Sequence, residues 1–347
     1  MVAPVPAGSG GLGRAAGDFA DGLTDLGLAT EYVGAQPRSI PSRLAASRLV
    51  RRASAGPQRL CQARDVRRVA AAMQWDVAYA VAGSAPVGRS NGIVVLHQST
   101  HHPSREFELV RRGRAETGGR GDLSRTELRR RLREVAEADL IHVTTEIVRD
   151  EFLEAGVAAD RLVFVPLGVD LEQFAPAPKS GELHVAFVGP MSMRKGVDVV
   201  AALAERLGDT ATVTAVGGPI CNWSRQVFEA ARFEMRGSVQ ELFAEAQVFV
   251  LPSRSDAFSY AVLEAMAAGV VPIVTPEVGA SEIVRRIDSR LVIERAEFVD
   301  RVAELLPMLE LARLSREARA LAMEYDRAAM TRAAASAVVA AATRLAA

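Results

Sequence analysis

Cysteine is nearly absent from this 347-residue chain, with two in all, Cys61 and Cys221. They stand far apart and lack the spacing of a metal site, which excludes a disulfide scaffold and suits a reducing cytosol. No run of about twenty apolar residues occurs, so no helix of the sequence is expected to span a membrane. The N-terminus lacks the basic-then-apolar layout of a signal peptide. Net charge is also missing: 42 basic side chains balance 42 acidic ones, and the overall charge names no partner. What is present is ordinary globular material, 49% hydrophobic and 24% charged. The chain is too long for one ordinary core, and two domains are expected.

The most informative stretch is 247–282, QVFVLPSRSDAFSYAVLEAMAAGVVPIVTPEVGASE. Residues 248–251 form a short continuous apolar run, the pattern of a strand buried on both faces in a parallel sheet. Pro252 stops it, and 252–255 make a loop. From Ser259 the pattern turns helical until Gly269, a C-cap. A second run, 270–274, holds Pro272 and is expected to be a short strand. Asp256 lies in the loop where the helix opens, and Glu264 lies two turns further on. Backbone N–H groups of 259–262 would point out of the helix start, where a phosphate binds naturally.

This stretch resembles the donor-binding signature of the retaining glycosyltransferases of family 4, in which two acidic residues are separated by seven positions around a Gly-Phe-Gly-Leu turn. Here the pair is Asp256 and Glu264, and the turn reads Ala257, Phe258, Ser259, Tyr260. The first acid is Asp where the family usually has Glu, and both glycines of the turn are replaced. The resemblance implies that Glu264 holds the ribose of a nucleotide sugar and that Asp256 contacts the sugar hydroxyls. Phe258, Ser259, Tyr260, Ala261 and Val262 then line the donor, and Glu282, after Gly279, closes its site.

The rest of the chain carries the same resemblance. Residues 183–188 form a strand, and the following GPMSMRKGVDVV places Lys195 and Gly196 like the family's phosphate-binding Lys-Gly at a helix start. A cation there, beside helix N–H groups, would stabilise a departing nucleotide. The family commonly has an Arg directly after the strand-end Gly; this chain has Pro190, and Arg194 is the residue near enough to replace it. Backbone at Met235 and Arg236, where strand 233–237 ends, matches the position that reads the nucleobase. In the first half, 93–97 is a buried strand ending in His97, which takes the position of the family's active-site histidine, while His101 and His102 are loop residues. Strands over 138–144 and 161–166 lead to LGVDLEQF, similar to the close of the family's N-terminal domain, and 175–181 reads as a linker by composition.

The N-terminus supports two readings. Gly8, Gly10 and Gly13 match the dinucleotide fingerprint G-x-G-x-x-G, with Glu31 near the usual distance for a ribose-binding acid. The same loop resembles the glycine-rich first turn of family 4, with Gly10 and Gly11 approaching the donor, a helix over 14–26 and a strand over 29–33. That first strand looks clipped, so a start upstream is expected. Between 36 and 133 there are 20 arginines, no lysine and 7 acidic residues, largely on helical patterns at 42–53, 58–73 and 123–136. This is either a solvated surface or a basic face for an anionic acceptor or membrane; nucleic acid is disfavoured because aromatics are scarce there. Segment 110–124, VRRGRAETGGRGDLS, reads as a flexible lid.

The expectation is an α/β chain of the GT-B type, two Rossmann-like domains with parallel sheets facing across a cleft. Residues 1–174 form the acceptor side, 175–180 a linker, and 181–310 the nucleotide-sugar side. The tail, 311–347, returns as helices onto the first domain. The expected activity is retaining transfer of a sugar to an acceptor hydroxyl, lipid-linked or anionic, by a cytoplasmic enzyme with peripheral contact at the inner membrane face. No cofactor is expected. No Asp-x-Asp pair occurs, so no metal is expected on the diphosphate either, whose charge falls to Lys195, Arg194 and helix N-termini. Two other readings stand beside it: a catalytically silent relative that binds a partner, and an NAD-dependent oxidoreductase.

Overall fold

The computed structural model describes residues 2–3, 10–30, 33–34, 75–81, 92–118, 124–179, 181–231 and 233–347. They divide into two compact units, one of residues 1–107, 122–167 and 328–347, the other of 108–121 and 168–327.

The first unit is a six-stranded sheet of β1 (Val2–Ala3), β2 (Val33–Gly34), β3 (Val77–Val81), β4 (Ile93–His97), β5 (Leu140–Val143) and β6 (Leu162–Phe164), in the order β2-β1-β3-β4-β5-β6. Every pairing is parallel. Strands of this kind are sealed by helices on both faces, which is why VAYAV, IVVLH and LIHV are apolar throughout rather than alternating. Helices α1 (Gly10–Asp25), α2 (Pro103–Thr117), α3 (Arg125–Glu137) and α4 (Glu146–Glu154) intervene between strands. Phe19 of α1 stacks on Tyr79 with ring centroids 3.5 Å apart, and Val95, Leu140, Val338 and Ala341 complete that core.

The second unit is a five-stranded sheet of β7 (His184–Val188), β8 (Thr212–Val216), β9 (Glu234–Met235), β10 (Val248–Leu251) and β11 (Val271–Val274), again all parallel. The order β11-β10-β7-β8-β9 runs outward from β7 in both directions. Pro272, which cannot donate to a ladder, is tolerated because β11 is an edge strand. The helices are α5 (Val197–Leu207), α6 (Asn222–Ala230), α7 (Val239–Glu245), α8 (Tyr260–Ala267), α9 (Ser281–Ile287), α10 (Phe298–Leu305) and α11 (Leu311–Ala322); α12 (Arg327–Ala346) ends the chain.

Two sequence expectations change. Segment 110–124 is not a loop through its first half: α2 continues to Thr117, and residues 119–123 lie outside the described residues. Gly113 within it is a packing point. A Cβ there would overlap Met193 Sδ and stand 2.7 Å from Arg254 Cδ. Of the strand expected at 29–33, Val33 lies in β2, residues 29–30 are outside any strand, and 31–32 lie outside the described residues. The tail forms helices, as expected, and α11 and α12 are separated at 323–326. There Val169 N–H donates to the Tyr325 carbonyl at 2.8 Å and Arg327 N–H to the Val169 carbonyl at 3.0 Å. The helices expected at 42–53 and 58–73 lie outside the described residues.

One glycine sets the geometry of the second sheet's upper edge. Gly196 is left-handed (φ 72°, ψ 33°) at the start of α5, and an added Cβ would run into the carbonyl of Pro252. Gly196→Ala should therefore destabilise the protein by about 2 kcal/mol or more, from the left-handed penalty plus the overlap. Urea unfolding measures it, and an unchanged midpoint would show that the turn is not constrained.

Candidate active site

In an open parallel sheet, ligands bind outside the carboxyl ends of the strands, where the strand order reverses. In the second unit this switch point lies between β7 and β10. The loops that leave these two strands are laced together there. Arg254 N–H donates to the Arg194 carbonyl at 2.7 Å, and the Arg194 guanidinium donates to the Ser255 carbonyl at 2.6 Å. Lys195 Nζ donates to Asp256 Oδ2. Arg194 and Lys195 on one side are thus joined to the three consecutive residues 254–256 on the other, and the two charged side chains that the sequence set 61 positions apart meet.

Lys195 and Asp256 are both nearly enclosed, with side chains 10% and 12% exposed. Burial lowers the pKa of the Lys195 ammonium and the charge of Arg194 adds to that, while the Asp256 carboxylate opposes both. An ion pair so placed is costly to break from one side, about 3–5 kcal/mol when one buried partner is removed. The turn 192–196 closes on itself through Lys195 N–H to Ser192 Oγ (3.2 Å) and Gly196 N–H to the Met193 carbonyl (3.1 Å), and α5 begins directly after it. The positive end of that helix therefore lies beside the two cations Arg194 and Lys195.

The loop is braced by a residue that sequence reading missed. Arg254 is 4% exposed; its guanidinium grips both carboxylate oxygens of Asp198 at 2.8 and 2.7 Å and donates to the Met193 carbonyl at 2.9 Å. Glu116 of α2 adds a contact at 3.2 Å. The available signal was an Arg beside a strand-end acid together with an Asp in the first turn of α5, a pairing of distant positions that no local motif displays.

Beyond Asp256 the chain turns into α8 through Ser259, which holds φ 74° and ψ 97°, the only non-glycine with positive φ among the described residues. Ser259 stands where the signature has its second glycine, and a serine holding this backbone costs on the order of 1–3 kcal/mol. Ser259 is 9% exposed, and its Oγ has no hydrogen-bond partner among the described residues. Phe258 is buried against Tyr260, ring centroids 6.3 Å apart. Ala261 and Val262 follow in the first turn, but Val262 N–H is already bonded to the Ser259 carbonyl at 3.1 Å, so it is not the open donor expected. Glu264 is 4% exposed on the same helix. The 256–258 segment is zipped to 277–280 by Asp256 N–H to the Glu277 carbonyl (3.1 Å), Gly279 N–H to the Asp256 carbonyl (2.7 Å) and Ala280 N–H to the Phe258 carbonyl (3.2 Å). That brings the first turn of α9, with Glu282, next to α8.

Met235 and Arg236 stand apart, on and after the edge strand β9, two strands from β7. The Arg236 side chain is engaged by Glu245 at 2.8 Å and Glu234 at 3.2 Å, and Arg236 N–H completes the sheet on Ala215 at 3.0 Å.

In the first unit, Gly10 and Gly11 form the first turn of α1; Gly8 lies outside the described residues. His97 ends β4, 1% exposed. Burial first, and then His142 beside it, holds its pKa well below the ordinary histidine value. His97 Nδ1 meets Tyr79 Oη at 2.9 Å, and its Nε2 has no partner among the described residues. His101 and His102 are not free loop residues: both are buried, with Glu151 accepting from the His101 ring (2.8 Å) and from His102 N–H (3.0 Å). Among the described residues no three His, Cys, Asp or Glu side chains are grouped to hold a metal ion. On α3, Arg130 lies between Glu127 and Glu134, and Arg131 also bonds Glu127, at 3.1 Å; part of the basic stretch is thereby neutralised.

Two family models match the chain. Residues 9–173 match "Glycosyltransferase Family 4" and residues 182–307 match "Glycosyl transferases group 1". The chain is 33% identical over 180 residues to the D-inositol 3-phosphate glycosyltransferase of Actinosynnema mirum, a match covering 42% of each protein. The matched stretch is under half the length of this and other curated relatives. In fold, it superposes on sucrose-phosphate synthase of Thermosynechococcus elongatus with a TM-score of 0.74 at 17% identity, over 97% of this chain and 94% of that one. It also superposes on HepE of Anabaena, solved with UDP and glucose, with a TM-score of 0.66 at 15% identity over 97% and 98%. With one family model on each parallel sheet and both structural likenesses running nearly end to end, the chain belongs to the group 1 glycosyltransferases of family 4, built on the GT-B fold.

Proposed function

We infer that this protein transfers a sugar from a nucleoside-diphosphate donor to a hydroxyl, with retention at the anomeric carbon and without a divalent metal. The observation that carries this reading is the buried Lys195–Asp256 pair at the switch point of the second sheet. A lysine already desolvated beside a helix start is prepared to take a diphosphate oxygen. When the diphosphate arrives it shares Lys195 with Arg194, and Asp256 turns its carboxylate to the sugar hydroxyls. Asp is one methylene shorter than the family's usual Glu, and its place against Lys195 suits that shorter reach. Glu264 holds the ribose, Glu282 closes the same site, and backbone at Met235 and Arg236 faces the base.

In the transfer, the bond from the anomeric carbon to the diphosphate oxygen breaks and its electron pair stays on the phosphate, beside Lys195. A hydroxyl of the second substrate bonds to the same carbon from the same face, and its proton passes to the departing phosphate oxygen. Front-face attack is favoured because no protein nucleophile is assigned: the one carboxylate proposed near the sugar, Asp256, is given to its hydroxyls. The second substrate is proposed to be lipid-linked or anionic, met by the arginine-rich first half at a membrane surface. None of the described helices is long and apolar enough to cross a membrane.

Two outcomes follow. Turnover should survive EDTA undiminished; complete loss restored by magnesium or manganese would replace Lys195 with a metal as the main counter-charge. Glu264→Gln should weaken binding of a bare nucleoside diphosphate about tenfold, the worth of one hydrogen bond to a charged group. Asp256→Asn should keep or raise that affinity, because it releases Lys195, while lowering donor turnover about a hundredfold. Calorimetry with UDP and GDP, together with initial rates, separates these effects, and equal losses of diphosphate affinity in both variants would show the roles to be misassigned.

A further inference from the structure

The second unit takes in one stretch from far up the chain, residues 108–121, which hold the second half of α2. Gly113 and Glu116 lie three positions apart there and so share a face of the helix. Gly113 lets the backbone come against Met193 and Arg254, where a Cβ would not fit. Glu116 meets two guanidinium groups. Its Oε2 accepts from Arg254 Nε at 3.2 Å, and both its oxygens accept from Arg295 Nη2, at 2.8 and 3.0 Å.

The two arginines lead to the two halves of the Lys195–Asp256 pair. Arg254 holds the carbonyls of the two residues before Lys195, with its side chain on Met193 (2.9 Å) and its backbone N–H on Arg194 (2.7 Å). Arg295 donates to the Glu277 carboxylate at 3.4 Å, and the Glu277 carbonyl accepts the backbone N–H of Asp256 at 3.1 Å. Charges of alternating sign thus run from Asp198 through Arg254, Glu116 and Arg295 to Glu277. An exposed ion pair contributes almost nothing, but the Arg254 side chain is 5% exposed and that of Arg295 20%. Cations so enclosed need their counter-charges. Glu116 is the member of the chain that touches both arginines, and without its charge the two cations face each other.

We propose that Glu116 is a positioning residue for the transfer: carried in on α2, it holds the Arg254 and Arg295 segments together and so keeps Lys195 in register with Asp256. What that pair does to a donor rests on the transferase reading; that Glu116 sets its geometry does not.

The chain has two lysines, Lys179 and Lys195, so the full chain labelled with 13C-lysine gives two Cε signals, assigned by Lys179→Arg. Glu116→Gln keeps the size of the side chain and removes its charge. It should move the Lys195 signal and leave that of Lys179 in place, with the fold retained by circular dichroism. It should also lower kcat by about 10- to 100-fold for whichever of UDP-glucose and GDP-mannose the wild type turns over, since a misplacement of about 1 Å costs up to about a hundredfold. Taking away the second cation as well, in Glu116→Gln/Arg295→Gln, should restore the Lys195 signal and most of the turnover. A carboxylate that merely added stability would give the opposite, a larger loss with each substitution. An unmoved Lys195 signal in Glu116→Gln overturns the proposal and leaves the transferase reading intact, as does a double variant worse than the single one. A moved signal with wild-type turnover overturns the role in transfer. A wild type silent with both donors weighs against the transferase reading alone, and the Lys195 signal then upholds or overturns the positioning of the pair.

Discussion

The second unit is organised around a nearly enclosed charge pair. Lys195 and Asp256 lie on loops leaving adjacent strands, and their meeting requires everything that holds those loops in register: the tight turn at Gly196, the Arg254–Asp198 brace and the zipper from Asp256 to Gly279. None of these contributes much alone. Together they keep a desolvated ammonium at the reversal of strand order, beside the positive end of α5. The chain has only two lysines, Lys179 and Lys195, among 42 basic residues. One of the two stands at the point where a compact ammonium, rather than a planar guanidinium, meets a carboxylate end-on.

Much of this was legible in the sequence because parallel sheets write themselves plainly. Buried strands such as 93–97, 212–216 and 248–251 are continuous apolar runs, and the chemistry-bearing residues follow them immediately in the chain. Lys195 and Asp256 could each be located from its own strand end. Contacts made across the fold were not legible. Arg254, Gly113, Tyr79 and His142 meet partners 18 to 141 positions away, which no local pattern displays. The break inside the tail was not legible for a similar reason: it lies where Val169 pairs with 325–327, a contact made across the fold.

Ser259 stands where the signature has its second glycine and holds a positive φ, so the surrounding zipper, rather than the residue type, dictates the backbone. Its buried hydroxyl has no partner among the described residues.

The central claim is that Lys195 carries the charge of the departing diphosphate. Initial rates of donor turnover by Lys195→Ala, confirmed folded by its circular dichroism, test it most directly with the nucleotide sugar that the wild type uses. The account predicts a loss of about a hundredfold or more, the scale for removing one group that stabilises developing charge. A folded Lys195→Ala protein that turned over donor at the wild-type rate would contradict it.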